Sequence, residues 1–315
     1  MLNSMTVVDL TQQLPGPFAT ALLASLGARV LKVEPPDGDP ARTLDPEMFA
    51  RVNTGKESIR LDLKSADGRG ELHRLVATAD VLIESFRPGV AQRIGADWDT
   101  CQAVNPALIH CSVTGFGAVG PYATVAVHEL NLLAWGDPES ARLSAGRIGV
   151  PWVDLGTGTT AALMIVAAWQ SVAQGGSGRH LDLSMLDVAL SWARVKPVRP
   201  GGEPTYSVYR TADERDIVVA ILEDHFWLRL CGALTLADLG ADPGLVRYEG
   251  RRARAEEIDG RVAEAVARLR IADVLRLADE WDLPVTPFDP MDDPRSIEHL
   301  ADSGFANGAF RLPTS

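Results

Sequence analysis

The sequence is short of cysteine, of basic charge and of long hydrophobic runs, and each shortage excludes a class of protein. Its 315 residues include three cysteines, an odd number that does not form the disulfide framework of a small secreted protein. Lys and Arg total 30 against 42 Asp and Glu. The resulting net charge of −12 excludes a broad basic surface for nucleic acid or an anionic membrane. We therefore expect a cytoplasmic protein with no nucleic-acid or membrane partner.

The hydrophobic residues are spread over many short runs. The longest run, residues 161–169, is far below the ~20 residues that a membrane span needs. Hydrophobic residues nevertheless make up 46% of the chain and charged residues 23%, which is ordinary for a folded globular protein. At roughly 150 residues per domain, the length predicts two domains or one large one.

The first part of the chain alternates short β-branched runs with amphipathic helical stretches, which is typical of a parallel sheet covered by helices. The strands are predicted at residues 7–10, 29–33, 58–63, 81–83, 108–113 and 180–183. A largely apolar helix is predicted over 155–173. These elements predict a large α/β domain over residues 1–196.

A segment rich in proline and glycine, residues 197–204, predicts a linker. Beyond it, two strand-like runs at 206–210 and 216–222 are separated by a polar turn and predict a hairpin. Further helices are predicted at 224–231, 251–269 and 271–281. The pattern indicates a smaller α+β domain over residues 205–290.

Two short motifs resemble known sites, but their context does not fit. Residues 115–120 match the Gly-x-Gly-x-x-Gly of dinucleotide-binding loops, yet Pro121 follows where a helix should begin, which favours a simple loop. His128 and Glu129 resemble the start of a zinc-protease helix, but Leu132 stands where the second histidine ligand belongs. No metal site is predicted.

Asp154 precedes the apolar helix and has two interpretations. Aspartate is favoured as the cap at a helix N-terminus, which is the simpler interpretation of this residue. Alternatively, a partly desolvated carboxylate that points into a cavity serves as a nucleophile or proton carrier. The residues alone favour the cap and leave the second interpretation open.

Several motifs in one order resemble a known family. They are LGARVLKVEPPDGD at 26–39, with LPGP ahead of it at 14–17, NTGK at 53–56, SIRLDLK at 58–64, ADVLIESFRPGV at 79–90 and TGFGAVGP at 114–121. Together they resemble the family III CoA-transferases, a group that includes formyl-CoA transferase, carnitine CoA-transferase and alpha-methylacyl-CoA racemase. The resemblance implies a large Rossmann-like CoA-binding domain, a smaller α+β domain, a C-terminal segment (291–315) that returns toward the large domain, and an interlocked homodimer.

The resemblance also implies where CoA is held. CoA would bind as part of an acyl-CoA thioester substrate and not as a permanent cofactor. The implied contacts are Leu61, Asp62, Leu63, Lys64, Ser85, Phe86, Arg87, Arg93 and Val127. Lys56, Lys64, Arg87 and Arg93 would supply the local cations that a phosphorylated ligand needs in an acidic protein.

Asp154 falls on the family's catalytic aspartate, and the resemblance is closest to the racemase. His128 matches the racemase histidine, and Glu223 matches a glutamate supplied by the small domain, which we expect to come from the partner subunit. His128 and Asp154 would exchange the α-proton of a 2-methylacyl-CoA, with Glu129 orienting His128. Backbone N–H groups at the start of the Asp154 helix would stabilise the enolate oxygen.

Two other functions stay open. A CoA-transferase would use Asp154 as a nucleophile and pass through a covalent aspartyl-CoA intermediate. A protein that has lost catalysis would bind CoA without turnover.

Overall fold

The computed structural model describes residues 1–146, 149–195 and 202–302, which divide into two compact units. The first unit contains the described residues up to 195, and the second contains residues 202–302. Most of the linker predicted at 197–204 lies outside the described residues. So does most of the segment predicted at 291–315, and its return to the large domain stays a prediction.

The first unit is built on a six-stranded sheet in which all paired strands are parallel. The strands are β1 Thr6–Asp9, β2 Arg29–Glu34, β3 Glu57–Arg60, β4 Val81–Glu84, β5 Ile109–Thr114 and β6 Arg179–Ser184. Their order, β3-β2-β1-β4-β5-β6, is that of the doubly wound dinucleotide-binding fold. The predicted parallel α/β architecture is confirmed.

Ten helices of the first unit accompany this sheet in the described residues. They are α1 Pro15–Ser25, α2 Ala41–Leu44, α3 Pro46–Asn53, α4 Ala66–Val76, α5 Val90–Ile94, α6 Trp98–Val104, α7 Glu129–Gly136, α8 Pro138–Ser144, α9 Trp152–Ala173 and α10 Met185–Val195. One apolar core on the sheet includes residues of α1, α9 and α10, and a second core includes residues of α4 and α6. The sheet is therefore covered on both faces, as a parallel sheet requires.

Helix α9 begins three residues earlier than the sequence predicts. It starts at Trp152, with Pro151 as its N-cap residue, so Asp154 lies inside the first turn and the simple capping interpretation of Asp154 is wrong.

The close approach of α1 to α9 depends on Gly158. A Cβ atom there would lie 2.6 Å from the Pro15 carbonyl oxygen, so only glycine fits without a shift of the backbone.

The second unit pairs a three-stranded antiparallel sheet with helices. Its strands, in the order β7-β8-β9, are β7 Tyr206–Arg210, β8 Asp216–Ala220 and β9 Val285–Pro287. Its helices are α11 Asp224–Ala233, α12 Ala237–Ala241, α13 Tyr248–Ala253, α14 Ala255–Val266, α15 Ile271–Glu280 and α16 Pro294–Asp302. Trp227 lies fully buried in its apolar core. The predicted hairpin and the smaller α+β unit are both present.

The helix predicted over 251–269 is in fact two helices, α13 and α14, that meet at Arg254. Arg251 in α13 is fully buried, and its guanidinium donates to Asp224 at 2.9 Å and to the Leu222 carbonyl oxygen at 2.6 Å. These tertiary bonds fix α13 separately from α14.

Within the described stretches, no helix is long and apolar enough to cross a membrane.

Candidate active site

A cavity of about 340 Å³ lies where the chain direction switches across the sheet. From β1 the chain continues to one side through β2 and β3, and from β4 it continues to the other side through β5 and β6. Folds of this kind bind ligands in the crevice outside the carboxyl ends of the strands at that point. Six predicted site residues line this site cavity: Ser85, Phe86, Arg87, Val127, His128 and Asp154.

Asp154 presents a half-buried carboxyl group to the site cavity from the first turn of α9. Burial, with a smaller contribution from the negative charge of Glu129, raises its pKa from the usual 3.8 to about 7. A carboxyl group with this pKa changes its charge near neutral pH, and a strongly perturbed acid in a cavity is a mark of functional sites.

Glu129 anchors the first turn of α9. Its Oε1 accepts the Val153 N–H at 2.9 Å and its Oε2 accepts the Asp154 N–H at 2.8 Å. A helix N-terminus carries unpaired donors and a partial positive charge, so this carboxylate is stabilised there. Glu129 therefore acts on the helix that carries Asp154, whereas the sequence predicts that it orients His128. The same contacts occupy two of the N–H groups that we expected to stabilise a substrate oxygen.

His128 is the N-cap residue of α7, directly before Glu129. Its backbone N–H donates to Asn131 Oδ1 at 3.0 Å, while the residue as a whole is exposed and lines the site cavity. Two adjacent residues therefore have different surroundings. His128 lies at the site cavity, and the Glu129 carboxylate contacts the N-terminal turn of the helix that carries Asp154.

The turn after β4, residues 85–89, is called the β4 turn here and forms one wall of the site cavity. The Ser85 hydroxyl accepts the Gln12 N–H at 3.3 Å and so links the β4 turn to the loop that follows β1. Phe86 is half-buried against the second apolar core, and Arg87 is exposed. In the described part of the chain, no carboxylate lies within ion-pair distance of the Arg87 guanidinium, which leaves it able to bind an anion.

Lys56 does not contribute a free cation. Its side chain is 1% exposed, and its ammonium group lies 3.2 Å from Asp9 Oδ2. The same group donates to the Pro17 carbonyl oxygen at 2.8 Å, to Thr20 Oγ1 at 2.7 Å and to Asn53 Oδ1 at 3.0 Å. Because an ammonium group has only three protons, these partners leave none for a phosphate. These contacts argue against the predicted binding of CoA by Lys56, which stays a prediction.

The remaining predicted residues lie outside the site cavity. Residues 61–64 connect β3 to α4, with Leu61 and Leu63 against the second apolar core and Asp62 Oδ1 accepting the Lys64 N–H at 3.0 Å. Lys64 and Arg93 are both exposed. Glu223 is an exposed N-cap residue of α11 in the second unit.

The sequence analysis missed Gln12, Gln13 and Thr114, which also line the site cavity. Gln13 has a φ angle of 64°, a left-handed conformation that is uncommon for a residue other than glycine and is often found at functional sites. Gln12 and Gln13 follow β1 and Thr114 ends β5, so the rule that ligands bind at the carboxyl ends of parallel strands could have identified all three.

A doubly wound α/β unit with a cavity at the carboxyl ends of its strands is typical of enzymes that bind a ligand there. Residues 2–309 match the model of CoA-transferase family III, and the chain belongs to this family of enzymes.

Several proteins similar to this chain are named as CoA-transferases. The chain is 32% identical to acetyl-CoA:oxalate CoA-transferase of Acetobacter aceti, over 90% of this chain and 80% of that protein. It is 32% identical to succinyl-CoA:mesaconate CoA-transferase of Haloarcula hispanica, over 93% and 82%. A CaiB/BaiF family protein from Brucella suis superimposes with a TM-score of 0.76 at 28% identity, over 94% of this chain and 87% of that one. These matches confirm the family resemblance seen in the sequence.

Proposed function

We propose that this protein is a CoA-transferase that moves CoA from an acyl-CoA to a free carboxylic acid, with Asp154 as the nucleophile. The observation that carries the proposal is the Asp154 carboxyl group, half-buried and with a raised pKa, at a cavity whose wall is the β4 turn. Relatives over most of this chain are named as CoA-transferases, which supports this function over the racemase that the sequence analysis favours.

The reaction proceeds by exchange of CoA through Asp154. Its carboxylate attacks the thioester carbonyl carbon, which forms a mixed anhydride and releases the CoA thiolate. The thiolate then attacks the Asp154 carbonyl carbon, so that an aspartyl-CoA thioester forms and the first carboxylate leaves. The acceptor carboxylate attacks this thioester, and the released thiolate attacks the acceptor carbonyl carbon. A new acyl-CoA forms and the Asp154 carboxylate is regenerated.

The β4 turn and the residues after β3 are proposed to bind CoA. Arg87 at the site cavity and the exposed Lys64 and Arg93 supply positive charge for its phosphates. Lys64 lies in the connection between β3 and α4, where the proposed contacts also include Leu61, Asp62 and Leu63. The proposed contacts nearer to Asp154 are Ser85, Phe86 and Val127. We also propose that Glu223 assists at the site of a partner subunit.

The names of the relatives suggest which acids to test. The acids named are oxalate, glutarate, succinate, citramalate and mesaconate, each in the name of a protein similar to this one. A panel of these acids with acetyl-CoA or succinyl-CoA as donor, analysed by mass spectrometry for new thioesters, tests the proposed function. At least one new acyl-CoA is expected, and tight CoA binding with no product from any pair would favour the non-catalytic alternative.

The pH dependence of CoA transfer should report the ionisation of Asp154. Only the carboxylate form is a nucleophile, and because the pKa is raised to about 7, kcat/KM should rise with pH and level off above that value. Glu129→Gln removes a negative charge that contributes to the raised pKa. The rise in kcat/KM should therefore shift to lower pH, while the remaining effect of burial keeps it above the pKa of a free aspartate.

The control for this shift is Glu139→Gln, which removes an exposed carboxylate in the first turn of α8. Its pH profile should match that of the unmodified protein. A Glu129→Gln profile that also matches would show that the charge of Glu129 does not affect the ionisation that controls the rate.

Racemisation of a 2-methylacyl-CoA is the second candidate, because His128 and Asp154 line the same cavity. A racemase needs both groups, one to remove the α-proton and the other to return it. A CoA-transferase needs only Asp154, so we expect His128→Ala to retain CoA transfer within about tenfold. The racemase would be supported if the unmodified protein catalyses α-deuterium exchange without CoA transfer and His128→Ala loses this exchange.

The homodimer and the cytoplasmic location remain proposals. Trp152 and Trp192 are 60% and 50% exposed and line an apolar cavity on the first unit, an arrangement that suits contact with a second copy of the chain. Cys101, Cys111 and Cys231 are free and buried, which agrees with a reducing compartment.

A further inference from the structure

The loop between β1 and α1, residues 10–14, is called the β1 loop here and presents two glutamines to the site cavity. Gln12 and Gln13 both line this cavity, and both are half-buried. In the part of the chain that the structure describes, neither side-chain amide has a hydrogen-bond partner. An amide group carries two N–H donors, so these side chains are able to donate to a ligand in the cavity.

The backbone of Gln13 has a conformation that side chains rarely adopt. Its φ angle is 64°, whereas in the described part of the first unit every other residue with a positive φ angle is a glycine. Such a conformation persists only where the surrounding structure holds it, and it is common at ligand sites. The surroundings of Gln13 therefore indicate what this conformation is for.

A buried ion pair holds the β1 loop. The side chains of Lys32 and Asp39 are 1% and 0% exposed, and the Lys32 ammonium group lies 3.0 Å from Asp39 Oδ2. Lys32 Nζ donates to the Thr11 carbonyl oxygen at 2.8 Å, and Asp39 Oδ1 accepts the Gln13 N–H at 3.4 Å. The pair therefore contacts the backbone of the β1 loop on both sides of Gln12.

Further hydrogen bonds fix the residues that take part in these contacts. Thr11 is fully buried, and its N–H donates to Asp9 Oδ1 at 2.9 Å. The Asp39 N–H donates to Glu34 Oε2 at 2.9 Å, and Asp39 Oδ1 also accepts the Ala41 N–H at 2.9 Å. The β1 loop is thus fixed by side chains that do not themselves line the site cavity.

The end of the β1 loop lies close to the part of α9 that carries Asp154. Gly158 is one helical turn after Asp154, so the two residues share one side of α9. A Cβ atom at Gly158 would lie 2.6 Å from the carbonyl oxygen of Pro15, which is two residues after Gln13. Gln13, Pro15 and Asp154 all line the site cavity. The Gln13 amide therefore lies on the same stretch of wall as the carboxyl group that we propose to react.

An acid that approaches Asp154 needs a hydrogen-bond donor at this place. Its carboxylate is partly desolvated there, which costs free energy unless a donor compensates. The Val153 and Asp154 N–H groups at the start of α9 cannot serve, because they donate to Glu129 at 2.9 and 2.8 Å. The Gln13 amide, without a partner among the described residues, is able to supply the hydrogen bond.

We propose that Gln13 contacts the free carboxylic acid that reacts at Asp154, and that Lys32 and Asp39 are positioning residues that hold Gln13 for this contact. The Gln13 amide donates to a carboxylate oxygen of the acid, which is a charge-assisted hydrogen bond. The buried ion pair keeps the backbone of Gln13 in its left-handed conformation. This inference rests on the proposed function, because it takes the reacting acid to bind in the site cavity.

The first test compares Gln13→Met with the unmodified protein. Methionine is an unbranched side chain of similar length and lacks the amide. For each acid of the panel that the unmodified protein uses, kcat/KM for the acid should fall about tenfold or more, the effect of losing one charge-assisted hydrogen bond. The affinity for an S-alkyl CoA thioether, measured by calorimetry, should be unchanged because this ligand has no acyl oxygen.

Gln174→Met is the matched control for this comparison. It replaces an exposed glutamine at the C-terminal end of α9, and it should match the unmodified protein in both measurements.

The second test asks whether Lys32 acts through Gln13. Lys32→Met removes the donor to the Thr11 carbonyl oxygen and should also lower kcat/KM for the acid. In the Gln13→Met protein, the same change should add little further loss, because the amide that Lys32 positions is already absent. If Lys32 had only a general structural role, it would lower kcat/KM by the same factor in both proteins.

Circular dichroism and thermal unfolding show whether each variant folds. Lys32→Met leaves the buried Asp39 carboxylate without its partner, so this variant may be replaced by the paired change Lys32→Met with Asp39→Asn. The paired change removes both charges together and keeps an oxygen for the Gln13 N–H. The same loss in the unmodified background, and little further loss in the Gln13→Met background, are expected from it.

Three results would overturn the proposal. They are a folded Gln13→Met protein with unchanged kcat/KM for every acid that the unmodified protein uses, a Gln13→Met protein with an equally large loss of affinity for the thioether, and equal losses from the Lys32 change in both backgrounds. Failure of the proposed function gives a different result. In that case the unmodified protein itself forms no new acyl-CoA with any acid of the panel, and the inference falls with it.

Discussion

Replacement of Asp154 by asparagine should abolish CoA transfer and leave the protein folded. The change removes the nucleophile, and loss of a group that forms the covalent intermediate costs about a thousandfold in kcat or more. The amide still fits the first turn of α9. Because burial and Glu129 disfavour the charged form of Asp154 in the folded protein, the neutral amide should leave the unfolding midpoint at pH 8 unchanged or raise it.

Steady-state transfer and thermal unfolding should be measured on the same preparations. Asp67→Asn, which removes an exposed carboxylate from the first turn of α4, is the matched control and should behave like the unmodified protein in both assays. An Asp154→Asn protein that transfers CoA at a rate within tenfold of the unmodified protein would exclude Asp154 as the nucleophile.

Replacement of Lys56 by methionine should destabilise the fold strongly, by about 3–5 kcal/mol, because it leaves a buried carboxylate without its partner. Asp9 is fully buried, and Lys56, Lys32 and two threonine hydroxyls together lower its pKa against the opposing effect of burial. Without Lys56, the Asp9 carboxylate keeps the hydroxyls and only the more distant Lys32. Urea unfolding at pH 7 measures the loss.

Lys64→Met is the matched control for Lys56→Met. Lys64 is exposed, so its replacement should change the free energy of unfolding by less than about 0.5 kcal/mol. It should also weaken binding of an S-alkyl CoA thioether, a CoA ligand that cannot be turned over. Lys56→Met is thus expected to lower the stability of the fold, and Lys64→Met is expected to lower the affinity for CoA. A Lys56→Met protein with normal stability and weakened CoA binding would show instead that Lys56 contacts the ligand.

Much of the fold could be predicted from local patterns. The β-branched runs at residues 29–33 and 81–83 become strands of a parallel sheet, since such runs alternate with helical segments in the chain. The division of residues 251–269 into two helices could not be predicted in this way. It depends on Arg251, whose contacts with Asp224 and with the Leu222 carbonyl oxygen join residues that are distant in sequence.

The candidate site was predicted in part. Asp154, His128 and the β4 turn line one cavity, because all are placed at the carboxyl edge of the same sheet. The contact of Glu129 with the first turn of α9 joins residues about 25 positions apart and leaves no sign in the spacing of either segment. Only the folded chain shows that Glu129 acts on the Asp154 helix.

Charge was the least predictable property of the site. Lysine is almost always exposed, so a sequence gives no reason to expect Lys56 to be buried. Its burial depends on the packing of α3 and of the loop before β3 against Asp9 at the end of β1.

The most direct test of Asp154 as the nucleophile is to detect CoA bound covalently to this residue. The protein is incubated with an acyl-CoA donor without acceptor, quenched in acid, digested and analysed by mass spectrometry, and a parallel sample receives a 2-methylacyl-CoA in deuterated water. We predict a peptide with CoA in thioester linkage at Asp154, which disappears when an acceptor acid is added. Deuterium at the α-carbon of the 2-methylacyl-CoA, with no CoA on any Asp154 peptide, would contradict it and show a racemase.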